Sequence, residues 1–269
     1  MNLFQSILLG ILQGLTEFIP VSSTAHLLIG QTLLDIPASD AMFSFLVIVQ
    51  LGTLVSLFAF YWKDLLAIFK ATLNFRHSTA ERNLGFCIVI ATIPALLAGY
   101  LLKDAVETLF QQPMLEAGIR LITAAALLAL AEWLTKKNRN LDSLTWLDAL
   151  FVGAMQVIAV FPGASRSGAT ISGGMFRGFD RPSAARFAFL LSAPVMLAAG
   201  GYELLDVIQT PNIAAFLPLL AAGFVTAAIV GWFAIKWLIG YLSKHSLYIF
   251  AVYCAVIGTA ALVASFKGA

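Results

Sequence analysis

The chain has 269 residues, 60% of them hydrophobic and only 11% charged, with a formal net charge of +2. Soluble domains run at roughly 45–50% apolar and ~25% charged residues, so a water-soluble globule is excluded in favour of an integral membrane protein. Apolar windows of about 20 residues, each able to cross a ~30 Å hydrocarbon core, point to an all-α polytopic bundle rather than a barrel of alternating strands.

The first apolar stretch, about 3 to 34, is interrupted by PVSSTAH at 20–26, and each half is too short to cross alone. No Lys or Arg precedes Lys63, so the stretch lacks the basic start of a cleaved signal peptide. Spans are then expected at about 41–62, 84–102 and 115–134. A second interrupted stretch, about 147 to 178, is broken by PGASRSGAT at 162–170, and three more spans follow at about 187–204, 214–238 and 246–266. Cys87 and Cys254 lie in apolar windows and read as small hydrophobes. Trp133, Trp146, Trp232 and Trp237 read as interface anchors.

Basic residues in short loops set orientation. The loop 63–83 carries Lys63, Lys70, Arg76 and Arg82; 135–146 carries Lys136, Lys137 and Arg139; 236–245 carries Lys236 and Lys244. These belong inside. The segments 35–40, 103–114 (Lys103 against Asp104 and Glu107) and 204–213 lack a basic excess and belong outside. With six spans, the first interrupted stretch enters from outside and the second from inside, each returning as a re-entrant helix-loop-helix hairpin. Arg177, Arg181 and Arg186 read as an inner-face anchor or lipid-headgroup patch without a catalytic role.

Pro20 and Pro162, Ser23 and Ser165, Phe45 and Phe187, and Asp64 and Asp206 are each 142 residues apart, and hairpin followed by three spans occurs twice. The chain therefore reads as one membrane domain, 1–269, of two inverted-topology repeats at about 1–135 and 146–269. Such repeats place a polar site near the bilayer midplane, where non-helical backbone lines a cavity.

Gln13 and Glu17 are four apart and share a helix face. Ser22, Ser23 and Thr24 are candidate N-caps of the returning half-helix, with His26 in its first turn. Gly163, Ser165, Arg166, Ser167, Gly168 and Thr170 stand before or within the second returning half-helix. Two half-helix N-termini offer unpaired N–H groups to an anion, and Arg166 adds a fork of donors for phosphate oxygens. Capping alone would account for Ser22 and Thr24, but three ionisable groups at membrane depth, Glu17, His26 and Arg166, mark function. No nucleotide-loop or zinc spacing is present, and no nucleic acid is implied. On these features alone a secondary transporter or lipid flippase ranks first.

QGLTE at 13–17 with PVSSTAH, and PGASRSGAT, resemble the two signature motifs of the undecaprenyl pyrophosphate phosphatases of the bacitracin-resistance type, (E/Q)xxxE and PGxSRSxxT. The resemblance covers essentially the whole chain. It implies hydrolysis of undecaprenyl diphosphate to undecaprenyl phosphate and phosphate, recycling of the carrier for peptidoglycan, bacitracin resistance, a bacterial inner membrane and a divalent cation, Mg²⁺ or Ca²⁺. Carried over residue by residue, it marks Gln13, Glu17, Ser22, Ser23, His26, Ser165, Arg166 and Thr170. Gln13 is an amide where the motif also allows an acid, which leaves Glu17 the lone carboxylate for a metal.

The expected division of labour is catalysis by Glu17, Ser23, His26 and Arg166, and diphosphate binding by Gln13, Ser22, Thr24, Gly163, Ser165, Arg166, Ser167 and Thr170. The nucleophile is Ser23, activated by His26 or Glu17, or a water held by the same pair. Glu17, with Gln13, holds a metal or acts as base. The pocket is expected to open outward. A homodimer is compatible with such a bundle.

Overall fold

The computed structural model describes residues 1–73, 79–102, 112–159, 164–209 and 213–266. The expectations for Arg76, Lys103, Asp104, Glu107, Pro162 and Gly163 fall outside these residues.

Among the described residues the chain is helical, without a strand. A capping box starts α1 (Leu3–Phe18), where the Asn2 side chain accepts from Gln5 N and Gln5 returns the bond to Asn2 N. Pro20 cannot continue the helix, and Ile19 already turns extended at φ −62°, ψ 132°. Ser22 then caps α2 (Ser23–Leu33). The long α3 (Asp40–Leu73), α4 (Ala80–Leu101) and α5 (Pro113–Leu134) follow.

The second hairpin uses the same devices. Thr145 and Asp148 form the capping box of α6 (Trp146–Ile158), and Ser165 caps α7 (Arg166–Phe176). Last come α8 (Arg181–Val207), α9 (Ile213–Leu242) and α10 (Tyr248–Phe266). Six helices, α3, α4, α5, α8, α9 and α10, are long and apolar enough to cross a membrane, whereas α1 and α6 are shorter apolar helices. This is a multi-pass membrane architecture.

Two expected loops prove partly helical. Lys63 and Lys70 sit on α3, which runs to Leu73 past a local departure from helical geometry at Tyr61, φ −102°, ψ 17°. Lys236 sits on α9, which runs to Leu242. Long basic side chains extend a helix beyond the hydrocarbon edge, because their charged ends reach water while their stems stay on apolar surface.

Each hairpin lies against the far half of the chain: α1 runs along α9, and α6 along α4. Small residues permit these close approaches, as expected where lipid supplies no hydrophobic drive between helices. A Cβ on Gly10 would lie 2.7 Å from the Gly223 carbonyl oxygen, and one on Gly153 2.5 Å from that of Ala91. Around the hairpins, α3 packs on α8 and α9, and α5 on α10.

Ionic braces close one end. Buried Asp148 accepts from Arg139 Nη2 and Arg177 Nε, both at 2.7 Å. Burial alone would push this carboxyl up, but hydrogen bonds from Arg139, Thr145 and Arg177 outweigh it and hold Asp148 well below the usual carboxylate range. Glu132 accepts from Arg181 at 2.6 and 2.7 Å and from Leu247 N at 2.8 Å, and pairs with Lys137 at 3.1 Å. Arg177 and Arg181, read as an inner-face anchor or lipid-headgroup patch, are thus paired with buried carboxylates of the protein itself. Arg186 pairs with Asp64 at 3.3 Å, with both side chains exposed.

Candidate active site

The break after α1 and the start of α7 meet in the interior. The Ser165 hydroxyl accepts from Gly168 N at 3.2 Å, capping its own helix, and from Ser22 N at 3.2 Å, across the interface. The Ser167 hydroxyl reaches Ile19 O at 3.4 Å and Ser165 Oγ at 3.3 Å. Two helix N-termini are therefore tied cap to cap. Ser22 holds φ 67°, ψ 95°, a region that costs a non-glycine residue about 1–3 kcal/mol. Its bond to Ser165 and its cap to Ala25 N hold it there.

At this joint Glu17 is 7% exposed and both its oxygens are engaged. Oε1 accepts from Arg166 Nη2; Oε2 accepts from Ser23 Oγ at 2.6 Å and Gln13 Nε2 at 2.9 Å. Gln13 Nε2 also lies 3.4 Å from Thr53 Oγ1, and Thr53 donates to Gln50 O at 2.7 Å. The carboxylate thus gathers a hydroxyl, an amide and a guanidinium from both hairpins. Ser23 itself is only partly buried.

His26 is oriented separately. Its Nδ1 lies 2.8 Å from Ser22 O and its Nε2 2.7 Å from Tyr253 Oη. A carbonyl only accepts, so Nδ1 carries the hydrogen and, in the neutral ring, Nε2 accepts from the tyrosine. The two rings are parallel within 5° at a 5.6 Å centroid separation. Of the two bases left open for Ser23, Glu17 is the one whose oxygen receives its hydroxyl.

Other expected site residues are placed differently. Thr24 is exposed and outside the hydrogen bonds of the joint. Thr170 turns back on its own helix, donating to Arg166 O at 2.8 Å. Thr53 and Tyr253 join the site without having been marked in the sequence, because a single Thr or Tyr in an apolar window carries no signal of its own.

Among the described residues no three His, Cys, Asp or Glu side chains gather as a metal cluster. For Glu17 and Gln13 to hold a hard cation such as Mg²⁺ with the substrate's phosphates, Glu17 would have to release one of its three donors and Gln13, whose Nε2 faces it, to turn its amide oxygen inward.

The chain that forms this joint has known relatives. A family profile described as bacitracin resistance protein BacA matches residues 6–260. The chain belongs to this family. It is 41% identical over 272 residues to an undecaprenyl-diphosphatase of Chlorobium phaeovibrioides, covering 96% of this chain and 95% of the relative. It is 38% identical to one of Alkaliphilus metalliredigens (98% and 99% covered) and 37% identical to one of Mycobacterium marinum (98% and 94%). Both motif segments of the family region, around Glu17 and around Arg166, thus lie on the two sides of the cap-to-cap joint.

Proposed function

We propose that the chain hydrolyses undecaprenyl diphosphate to undecaprenyl phosphate and inorganic phosphate, which recycles the lipid carrier for peptidoglycan synthesis and confers bacitracin resistance. The observation that carries this reading is the Glu17 carboxylate shared by Ser23 and Arg166 at the N-termini of two half-helices. Phosphoryl transfer needs an in-line nucleophile and neutralised oxygens, and these residues supply both.

Ser23 Oγ attacks the terminal phosphorus as its proton passes to Glu17 Oε2. The bond from that phosphorus to the bridging oxygen breaks, and undecaprenyl phosphate leaves with the electron pair. Water then attacks the phosphoserine; the Ser23 Oγ–phosphorus bond breaks, Glu17 Oε2 returns its proton to Ser23, and phosphate leaves with the oxygen and protons of the water. Arg166 turns its fork from Glu17 to the transferred oxygens, and the first-turn N–H groups of α2 and α7 face the same charge. Ser22 O fixes the tautomer of His26 and Tyr253 orients its Nε2 side. Gln13 and Glu17 would hold a divalent cation, which when bound neutralises phosphate charge.

The two-repeat organisation belongs to this reading. Caps Asn2 and Thr145, and caps Ser22 and Ser165, are each 143 residues apart, as are Gly10 and Gly153 at the two close crossings. We place the protein in the bacterial inner membrane with the site opening to the outer face. Purified protein in detergent, given undecaprenyl diphosphate and no membrane gradient, releases phosphate on this account. Release that is absent, or unchanged in Glu17→Ala and Arg166→Ala, would refute it and return the transporter reading to first place.

A further inference from the structure

Besides the Glu17–Arg166 pair and the braces at one end, a further carboxylate–guanidinium pair is largely enclosed and has no part in the chemistry described above. Near the start of α5, Glu116 Oε1 accepts from Arg120 Nε at 2.8 Å and lies 2.8 Å from its Nη2; the side chains are 17% and 12% exposed. From Leu121 to Ala131 the helix is otherwise free of charge. Ionisable residues within a membrane bundle are costly, and a buried ion pair is a weak source of stability, so the pair calls for a use.

Its position supplies one. Arg120 Nη1 donates to Ala164 O at 3.3 Å. Ala164 immediately precedes Ser165, the cap that ties the two hairpins together, and stands two residues before Arg166. Two residues of extended chain span at most about 7 Å, so the guanidinium touches backbone that close to the Arg166 α-carbon. The carbonyl contact is long for an N–H···O bond and readily exchanged.

Charge decides the rest. Glu17 is matched by Arg166 and Glu116 by Arg120, so the resting joint is balanced, yet a diphosphate brings several negative charges into a medium that screens them poorly. We infer that Arg120 is a second substrate-binding arginine: it leaves Ala164 O and takes the lipid-linked phosphate, while Arg166 takes the terminal one. Glu116 is its resting counter-ion. The inference rests on the diphosphatase reading and names the part of the substrate that the second arginine grips.

The test is steady-state kinetics on undecaprenyl diphosphate for wild type, Arg120→Met, Arg120→Lys and Glu116→Gln, with inhibition by pyrophosphate and by inorganic phosphate, and thermal unfolding of each protein in detergent. Arg120→Met raises KM about tenfold with kcat little changed, the pattern of lost uniform binding. It weakens inhibition by pyrophosphate, not by phosphate. Arg120→Lys falls between, because it keeps charge without the fork. Glu116→Gln releases the arginine and lowers KM. A purely structural pair would lower the unfolding temperature in Arg120→Met and Glu116→Gln alike while leaving KM and pyrophosphate inhibition at wild-type values, and that result overturns the inference. If Arg120→Met does not fold, the opposite KM shifts of Arg120→Lys and Glu116→Gln carry the test. A wild-type protein that releases no phosphate would instead sink the diphosphatase reading.

Discussion

The two hairpins share the way their helices are capped and differ in chemistry. Aligned cap to cap at 143 residues, Ser22 matches Ser165, Gln13 matches Gln156, and Ser23 matches Arg166. One N1 position therefore carries the hydroxyl and its counterpart the cation. Gln13 is bonded to Glu17. Gln156 is 2% exposed, and neither atom of its amide finds a partner among the described residues. Its hairpin has Val160 where the first has Glu17. A buried amide is expected to be satisfied, and here the difference is the missing carboxylate. A single device, a capped helix N-terminus brought into the interior, thus carries an acid and a hydroxyl on one side and a guanidinium on the other.

Breaking the cation side has the largest expected effect. Arg166→Ala loses roughly 3 kcal/mol or more of transition-state stabilisation, a factor of a hundred or greater in kcat/KM, and Arg166→Lys is nearly as poor because the fork is lost. Phosphate release assays check both. On the structural side, Asp148→Asn leaves Arg139 and Arg177 without their buried partner and lowers stability by about 3–5 kcal/mol, read by thermal unfolding in detergent. Because the folded pKa of Asp148 is depressed, its contribution is fully present above about pH 4 and is lost as pH falls through the lowered value, so acid narrows the gap between wild type and variant.

Smaller effects sharpen the comparison. Tyr253→Phe removes the hydroxyl on His26 Nε2 and reduces kcat about tenfold with little change in KM, while ¹⁵N shifts of the His26 ring report loss of the hydrogen bond at Nε2 with Nδ1 still protonated by its bond to Ser22 O. An unchanged rate and spectrum would remove the tyrosine from the site. Gln156→Leu is near neutral or slightly stabilising, since it replaces an unsatisfied buried amide by an apolar group, whereas Gln13→Leu impairs turnover. Equal losses in both would contradict the division between the hairpins.

The hairpins themselves were legible because Pro and Ser inside an apolar stretch leave few alternatives to a broken helix, and six spans followed from length alone. The register was not. The cap Ser22 stands two positions after Pro20 but Ser165 stands three after Pro162, so matching the prolines gives 142 and pairs Ser165 with Ser23 rather than with the cap Ser22. Helix ends at Leu73 and Leu242 were hidden because basic residues read as loop when they ride on a projecting helix. Glu17, Ser23 and Arg166 were named from motifs and expected to meet where the two breaks converge, but which donor bonds which carboxylate oxygen needed three dimensions. Tyr253 was invisible for the same reason: only the fold brings α10 to α2.

The most direct test of the central claim, that Ser23, Glu17 and Arg166 form one phosphoryl-transfer centre, is a rapid acid quench with undecaprenyl diphosphate labelled in its terminal phosphate, followed by mass spectrometry of the protein. The account predicts label on Ser23 in wild type, and neither label nor turnover in Ser23→Ala. Full turnover in Ser23→Ala with no phosphoserine in wild type would contradict it.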